Sequence, residues 1–172
     1  DGEWLGTNEV GEICVKGPVV TREYYGRLDA TAAAKIADGD AVWHRVGDLG
    51  YLDDVGRLWF CGRKAHRVET AAGVLYSVCC EAIFNEAPGV RRSALVGIGP
   101  QPRQTPAIVI EPEPGKYDEL SANPARLQAV AAANPLTANI QKVLFHRQFP
   151  VDVRHNAKIN REALAAWAAK QG

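Results

Sequence analysis

The sequence predicts an α+β fold in two regions, a β-rich stretch over residues 1–64 followed by a mixed stretch of strands and helices over 65–172. Three observations carry this reading. In the first region short apolar stretches are broken by Gly and other turn residues at strand-like intervals. In the second region a pair of uninterrupted apolar runs, 93–98 (SALVGI) and 107–110 (AIVI), have the length of buried strands. The chain closes with Ala163, Leu164, Trp167 and Ala168 at three- and four-residue spacing, one inward stripe of a helix.

The elements run in order along the chain. Residues 12–16 (EICVK) alternate like a half-buried strand and stop at Gly17-Pro18. Residues 29–36 (DATAAAKI) read as a short helix with Asp29 as N-cap, halted by Asp38-Gly39-Asp40. Strands at 42–46 and 50–52 flank Gly47-Asp48, and Asp53, Asp54 and Gly56 turn the chain into 57–61 (RLWFC) to close a hairpin. A smaller hairpin is expected where 68–70 and 74–76 flank Gly73. Ser77 then caps a helix to about Glu86, with Val78 and Ile83 on its buried face and Pro88-Gly89 at its end. After the two apolar strands come a helix at 124–133, a strand at 142–145 and the last helix from Asn160. The two regions are expected to meet at 63–65.

Composition limits the function. Lys and Arg number 20 against 20 Asp and Glu, so no global field draws the chain to nucleic acid or to an anionic membrane. No run approaches the ~20 apolar residues of a membrane span, and the first residues lack the basic and apolar regions of a signal peptide. The chain starts at Asp1 and contains no Met, which reads as a piece of a longer polypeptide. Cys14, Cys61, Cys79 and Cys80 form no disulfide framework and no Cys-x-x-Cys, and His44, His66, His146 and His155 are scattered. The cysteines are therefore expected to be small buried hydrophobes in a reducing cytoplasm, with no metal site.

Generic catalytic signatures are missing. There is no Gly-x-x-x-x-Gly-Lys-Ser/Thr phosphate loop. Gly97-Ile98-Gly99 begins like a dinucleotide fingerprint, but Pro102 stands where the third glycine should allow close helix packing, so a turn is expected. Ser77, Ser93 and Ser121 have no nucleophile-elbow context, and His44 and His155 are isolated. Spacing alone assigns no chemistry.

Four ordered motifs do. Gly11-Glu12-Ile13-Cys14-Val15-Lys16-Gly17 with Tyr24-Tyr25-Gly26 resembles the GELxIxGxxxxxGY segment of adenylate-forming enzymes, the superfamily of acyl-CoA synthetases, peptide-synthetase adenylation domains and luciferases. Val46-Gly47-Asp48-Leu49-Gly50-Tyr51, followed by Asp53-Asp54, resembles their TGDxGxxDxDG block. Gly62-Arg63 opens a segment that ends at Glu81 and matches the length of their GRxDxxIKxxGxxIxPxEIE block. Residues 150–161 are similar to the last motif, with Lys158 at its lysine and Arg161 at its arginine. The RHNAKI and GRKAHRVET segments most resemble the olefin-biosynthesis β-lactone synthetases and saframycin-synthetase-like acyl-CoA ligases.

The resemblance implies that 1–64 is the β-rich end of the large ATP-binding domain and 65–172 the mobile C-terminal lid, a small sheet flanked by helices. It implies that Asp48 accepts both ribose hydroxyls of ATP, that Arg63 also reaches the ribose, that Ala65 stands at the hinge, and that Lys158 touches the α-phosphate and the acyl carboxylate. Arg161 is expected to anchor the terminal helix. It further implies ATP and Mg²⁺, bound mainly by upstream sequence, a carboxylic-acid substrate, and activation through an acyl-adenylate with release of pyrophosphate. The expected second step is β-lactone closure of a 3-hydroxy fatty acid. The alternative is a thioester, made with CoA or a carrier-protein thiol. The segment alone is expected to be inactive. Asp48, Arg63 and Lys158 together argue against a non-catalytic interaction module. Departures from the pattern are Ala65 for the hinge Asp or Lys, Glu69 for a lysine, Ala72 for a glycine, and Ser77 and Cys79 for a Pro and a Glu. They bear on the second step and leave Asp48 and Lys158 untouched.

Overall fold

The computed structural model describes residues 2–152 and 158–171. The chain divides into two compact units that meet between Ala65 and His66.

The first unit is built on one long strand. β1 (Gly11–Val15), β2 (Lys35–Asp38) and β4 (Leu58–Arg63) all pair antiparallel with β3 (Ala41–Leu52). β1 takes one edge of β3, while β2 and β4 share the other, opposite its first and second halves. The two strands expected around Gly47-Asp48 are thus a single strand. Gly47, at φ +75°, absorbs the irregularity without ending the ladder. There β3 is bulged: residues 46–48 oppose only Ile13 of β1. On the other edge Cys61 is the extra residue of β4, and Gly50 leaves room for the approaching chain, since a Cβ there would lie 2.6 Å from the Trp59 carbonyl oxygen.

The short helix α1 (Leu28–Ala34) ends earlier than its composition suggests. Asp29 lies inside its first turn, and the cap residue is Arg27, with no side-chain cap bond. Lys35 and Ile36 leave the helix to form β2, because Ile36 pairs across from Trp43 and gains ladder bonds that the helix end cannot offer. Asp38-Gly39-Asp40 is therefore the turn of a hairpin rather than a helix stop.

The second unit is a three-stranded sheet in the order β7–β8–β9. β7 (Val90–Ile98) runs antiparallel to β8 (Thr105–Pro112), and β9 (Lys142–Phe145) runs parallel to β8. Side chains alternate between its faces. Leu95, Ile108 and Ile110 join Phe84 and Cys80 of α2 (Ser77–Asn85), Leu120 of α3 (Tyr117–Ala122), and Leu127 and Ala131 of α4 (Ala125–Ala132). Ala94, Val96, Ala107 and Val109 instead pack with Phe149 and with Leu164 and Ala168 of α5 (Arg161–Ala168). Helices thus cover both faces, which is why these strands read as unbroken apolar runs.

Two small hairpins complete it: β5 (Val68–Thr70) with β6 (Gly73–Leu75), and β10 (Val151–Asp152) with β11 (Lys158–Ile159). The α+β class holds. Some expected faces do not. Val78 of α2 is exposed while Cys80, Glu81 and Phe84 face inward, and Tyr76 rather than Ser77 holds the cap position. Ala163 of α5 is exposed, and Ala165 packs inward in its place. Asn160 does cap α5, its side chain accepting from the Ala163 N–H at 3.0 Å.

Candidate nucleotide and acid-activation residues

Asp48 and Arg63 are direct cross-strand partners of β3 and β4, so the ladder itself places both side chains side by side. Asp48 Oδ1 lies 3.1 Å from Arg63 Nη1, and that nitrogen donates to the Val46 carbonyl at 3.0 Å. The Asp48 side chain is 30% exposed and that of Arg63 50%, so both remain reachable. Among the described residues Asp48 Oδ1 is nonetheless buried with no hydrogen bond. The carboxylate as a whole is part-exposed beside a guanidinium at a strand bulge, a setting that suits a ligand bringing hydroxyl donors, and ribose has such donors.

The same unit holds a second polar centre that sequence reasoning passed over. Glu12 Oε2 accepts from Arg45 Nη2 at 2.6 Å and Nε at 3.0 Å, and from Lys64 Nζ at 2.7 Å. Burial alone would raise the Glu12 pKa, but these bonds and charges outweigh it and hold the carboxyl below its usual range. Lys64 is next to Ala65, and both lie in a single 3₁₀ turn, Lys64–His66. At the far end of β3, Asp53 accepts from Trp59 Nε1 at 2.8 Å, from the backbone N–H groups of Val55 and Arg57, and from Arg57 Nε at 2.6 Å. The indole and then the backbone and guanidinium donors pull its pKa down to about 2.

Lys158 belongs to the second unit. It is exposed on β11, opposite Asp152 of β10, and the Asn160 N–H donates to the Pro150 carbonyl at 2.8 Å where the two stems meet. The rest of its motif, 153–157 with His155, lies outside the described residues. Arg161 forms a two-pronged pair with Glu81 of α2, at 2.5 and 2.9 Å, and so ties α5 to the core. Glu81, the last residue of the third motif, was visible as a family position but not as this partner.

The other candidates are quiet. His44 sits in β3 with Nδ1 3.3 Å from the Ala34 carbonyl oxygen. Cys61 and Cys80 are buried, Cys14 and Cys79 half-buried, and all four are free thiols. Among the described residues no three His, Cys, Asp or Glu side chains cluster to hold a metal, and no helix is long and apolar enough to cross a membrane.

No family model matches the chain. An olefin β-lactone synthetase of Xanthomonas campestris pv. campestris is 53% identical over 98% of this chain. The chain belongs to the adenylate-forming superfamily. A 2-succinylbenzoate–CoA ligase of Bacillus cytotoxicus is 39% identical over 56% of the chain. The solved o-succinylbenzoate CoA synthetase of Bacillus subtilis, in complex with its acyl-adenylate intermediate, superposes on 95% of this chain with a TM-score of 0.78 at 25% identity. The chain spans about a third of the olefin β-lactone synthetase, 32% of its length, and the same share of the solved synthetase.

Proposed function

We propose that this chain is the C-terminal portion of an ATP-dependent enzyme that activates a 3-hydroxy fatty acid and closes it to a β-lactone. The observation that carries this reading is the 53% identity to an olefin β-lactone synthetase across almost the whole chain. In the first step a carboxylate oxygen of the acid attacks the α-phosphorus of ATP. An acyl–oxygen–phosphorus bond forms, the α–β phosphoanhydride bond breaks, and pyrophosphate leaves. In the second step the substrate's own 3-hydroxyl oxygen attacks the acyl carbon, closing a four-membered ring and expelling AMP as the hydroxyl proton departs.

This chain's residues divide the first step between them. Asp48 accepts the ribose hydroxyls and Arg63 fixes Asp48 while reaching toward the same sugar. Lys158 sets an ammonium group against the charge that grows on the α-phosphate and the attacking carboxylate, where a preorganised donor is worth most. Mg²⁺ bound to the triphosphate lowers its negative charge; the residues that hold it, with the adenine and acyl sites, belong to the longer polypeptide. We place the large-domain portion at 1–64, the lid at 65–172, the hinge at Ala65, and the enzyme in the cytoplasm.

The shorter likeness to CoA ligases supports a second reading, in which CoA or a carrier-protein thiol attacks the adenylate. Product mass separates the two. The full-length enzyme given a 3-hydroxy fatty acid, ATP and Mg²⁺ should release AMP, pyrophosphate and a product lighter than the acid by one water, with or without CoA. A product that forms only with CoA and carries its mass would replace the lactone reading with the ligase one.

A further inference from the structure

An exposed lysine on a two-residue strand is a poor place to hold an ammonium group in register with a reacting phosphate, since a supported site needs its neighbours locked. The stems of the β10–β11 hairpin are locked from below. Beside β10, the Phe149 N–H donates to Glu111 Oε2 at 2.6 Å. Glu111 is 1% exposed on β8, and its oxygens are held by Arg91 Nη1 at 2.9 Å and by Arg92 at 2.9 and 3.1 Å. The Arg92 guanidinium also lies 5.2 Å from the Phe149 ring centre. Beside β11, the guanidinium of Arg161 is gripped at both ends by Glu81, whose Oε1 also accepts the buried Leu95 N–H at 2.8 Å. Arg161 Nη1 further donates to the Leu95 carbonyl at 3.3 Å. Each stem is thus tied to the β7–β8–α2 core by its own buried carboxylate.

Stability alone is a weak reason for two such carboxylates, because a buried ion pair is often no better for folding than apolar side chains of the same volume. A fixed direction for the two stems, which lie between Phe149 and Arg161, is a stronger one. We infer that Glu81, Arg161 and Glu111 are positioning residues for acid activation, acting through the hairpin stems to set where Lys158 presents its ammonium group. This rests on the role proposed above for Lys158.

The test is a double-mutant cycle in the full-length enzyme, reading single-turnover pyrophosphate release and, alongside, the thermal midpoint. Glu81→Gln, Arg161→Lys and Glu111→Gln should each slow adenylate formation by about 10- to 100-fold, the scale of a roughly 1 Å misplacement, with the KM for ATP nearly unchanged. In a Lys158→Ala background the same replacements should leave the residual rate almost unaltered, because there is no ammonium left to misplace. An equal fold-loss in that background, or a raised KM with an intact rate, would overturn the inference. Should one variant fail to fold, either of the others completes the same cycle, Arg161→Lys being the mildest since it keeps the charge. Undiminished adenylation in Lys158→Ala itself would overturn the role of Lys158, a separate failure.

Discussion

The two units differ in what they keep from water. Among the described residues the first unit buries only Leu49 and Cys61 of its large or sulfur-bearing apolar side chains, while Trp4, Val19, Tyr25, Leu28, Val55, Leu58, Trp59 and Phe60 are exposed. The second unit buries both faces of its sheet, and among its described residues only Val74, Val78 and Leu136 stand out as large exposed apolar groups. One has a core of its own; the other is held by ladders and ion pairs and carries an apolar surface that is unusual for a self-sufficient domain. The difference teaches where stability and chemistry separate. The proposed nucleotide pair sits in the unit with little core, and the proposed lysine rides on the unit with much.

The sharpest way to break this comparison is to empty one core position in each. Phe84→Ala should cost the second unit about 3–5 kcal/mol, whereas Leu58→Ala in the first should change stability by less than about 0.5 kcal/mol. Denaturant-dependent amide exchange, resolved by unit, reads both, and equal losses would erase the contrast. Next comes chemistry on the well-packed side: Lys158→Ala in the full-length enzyme should slow acyl-adenylate formation by about 10²–10³-fold, measured as the pre-steady-state burst. On the other side, Asp48→Ala should raise the apparent KM for ATP by about tenfold or more, since a hydrogen bond to a charged group is worth ~1.5–3 kcal/mol. An unchanged KM removes Asp48 from the ribose role.

The smallest effect is a pH dependence in the first unit. Glu12 and Asp53 have folded pKa values below their ordinary 4.5 and 3.8, so each adds stability above those values and loses it as pH falls through the folded pKa. For Asp53 the window runs from about 3.8 down to about 2. Acid titration of the midpoint should therefore show the first unit weakening below about pH 4.5, and Glu12→Gln should flatten the upper end of that slope.

Much of this was legible. The buried strands of the second unit announced themselves because two covered faces demand unbroken apolar runs, and the β3–β4 hairpin came from Asp53-Asp54 and Gly56. β2 was hidden because its KIAD sequence continues an Ala-rich helical pattern, and only pairing with β3 pulls it out. α3 is six residues long, too short for a period to show, and β10 and β11 are two residues each. The candidate site rests on motif positions, Asp48, Arg63 and Lys158, although only the structure sets Asp48 against Arg63. Glu12 with Lys64, Glu81 with Arg161 and Glu111 with Phe149 could not be read off, because each joins residues dozens of positions apart and a lone charged residue in sequence looks solvated.

Cys80 has a consequence for reactivity. Its thiol lies under α2, with the sulfur 3.5 Å from the Leu136 carbonyl oxygen, and burial pushes its pKa up to about 12. At neutral pH it therefore stays the thiol and not the thiolate that alkylating reagents attack. Cys80 is therefore silent while α2 stays down and reactive once it lifts, with half-buried Cys79 beside it as the reference. The rate at which reagent captures Cys80 would clock the lifting of α2 in the unit that carries Lys158.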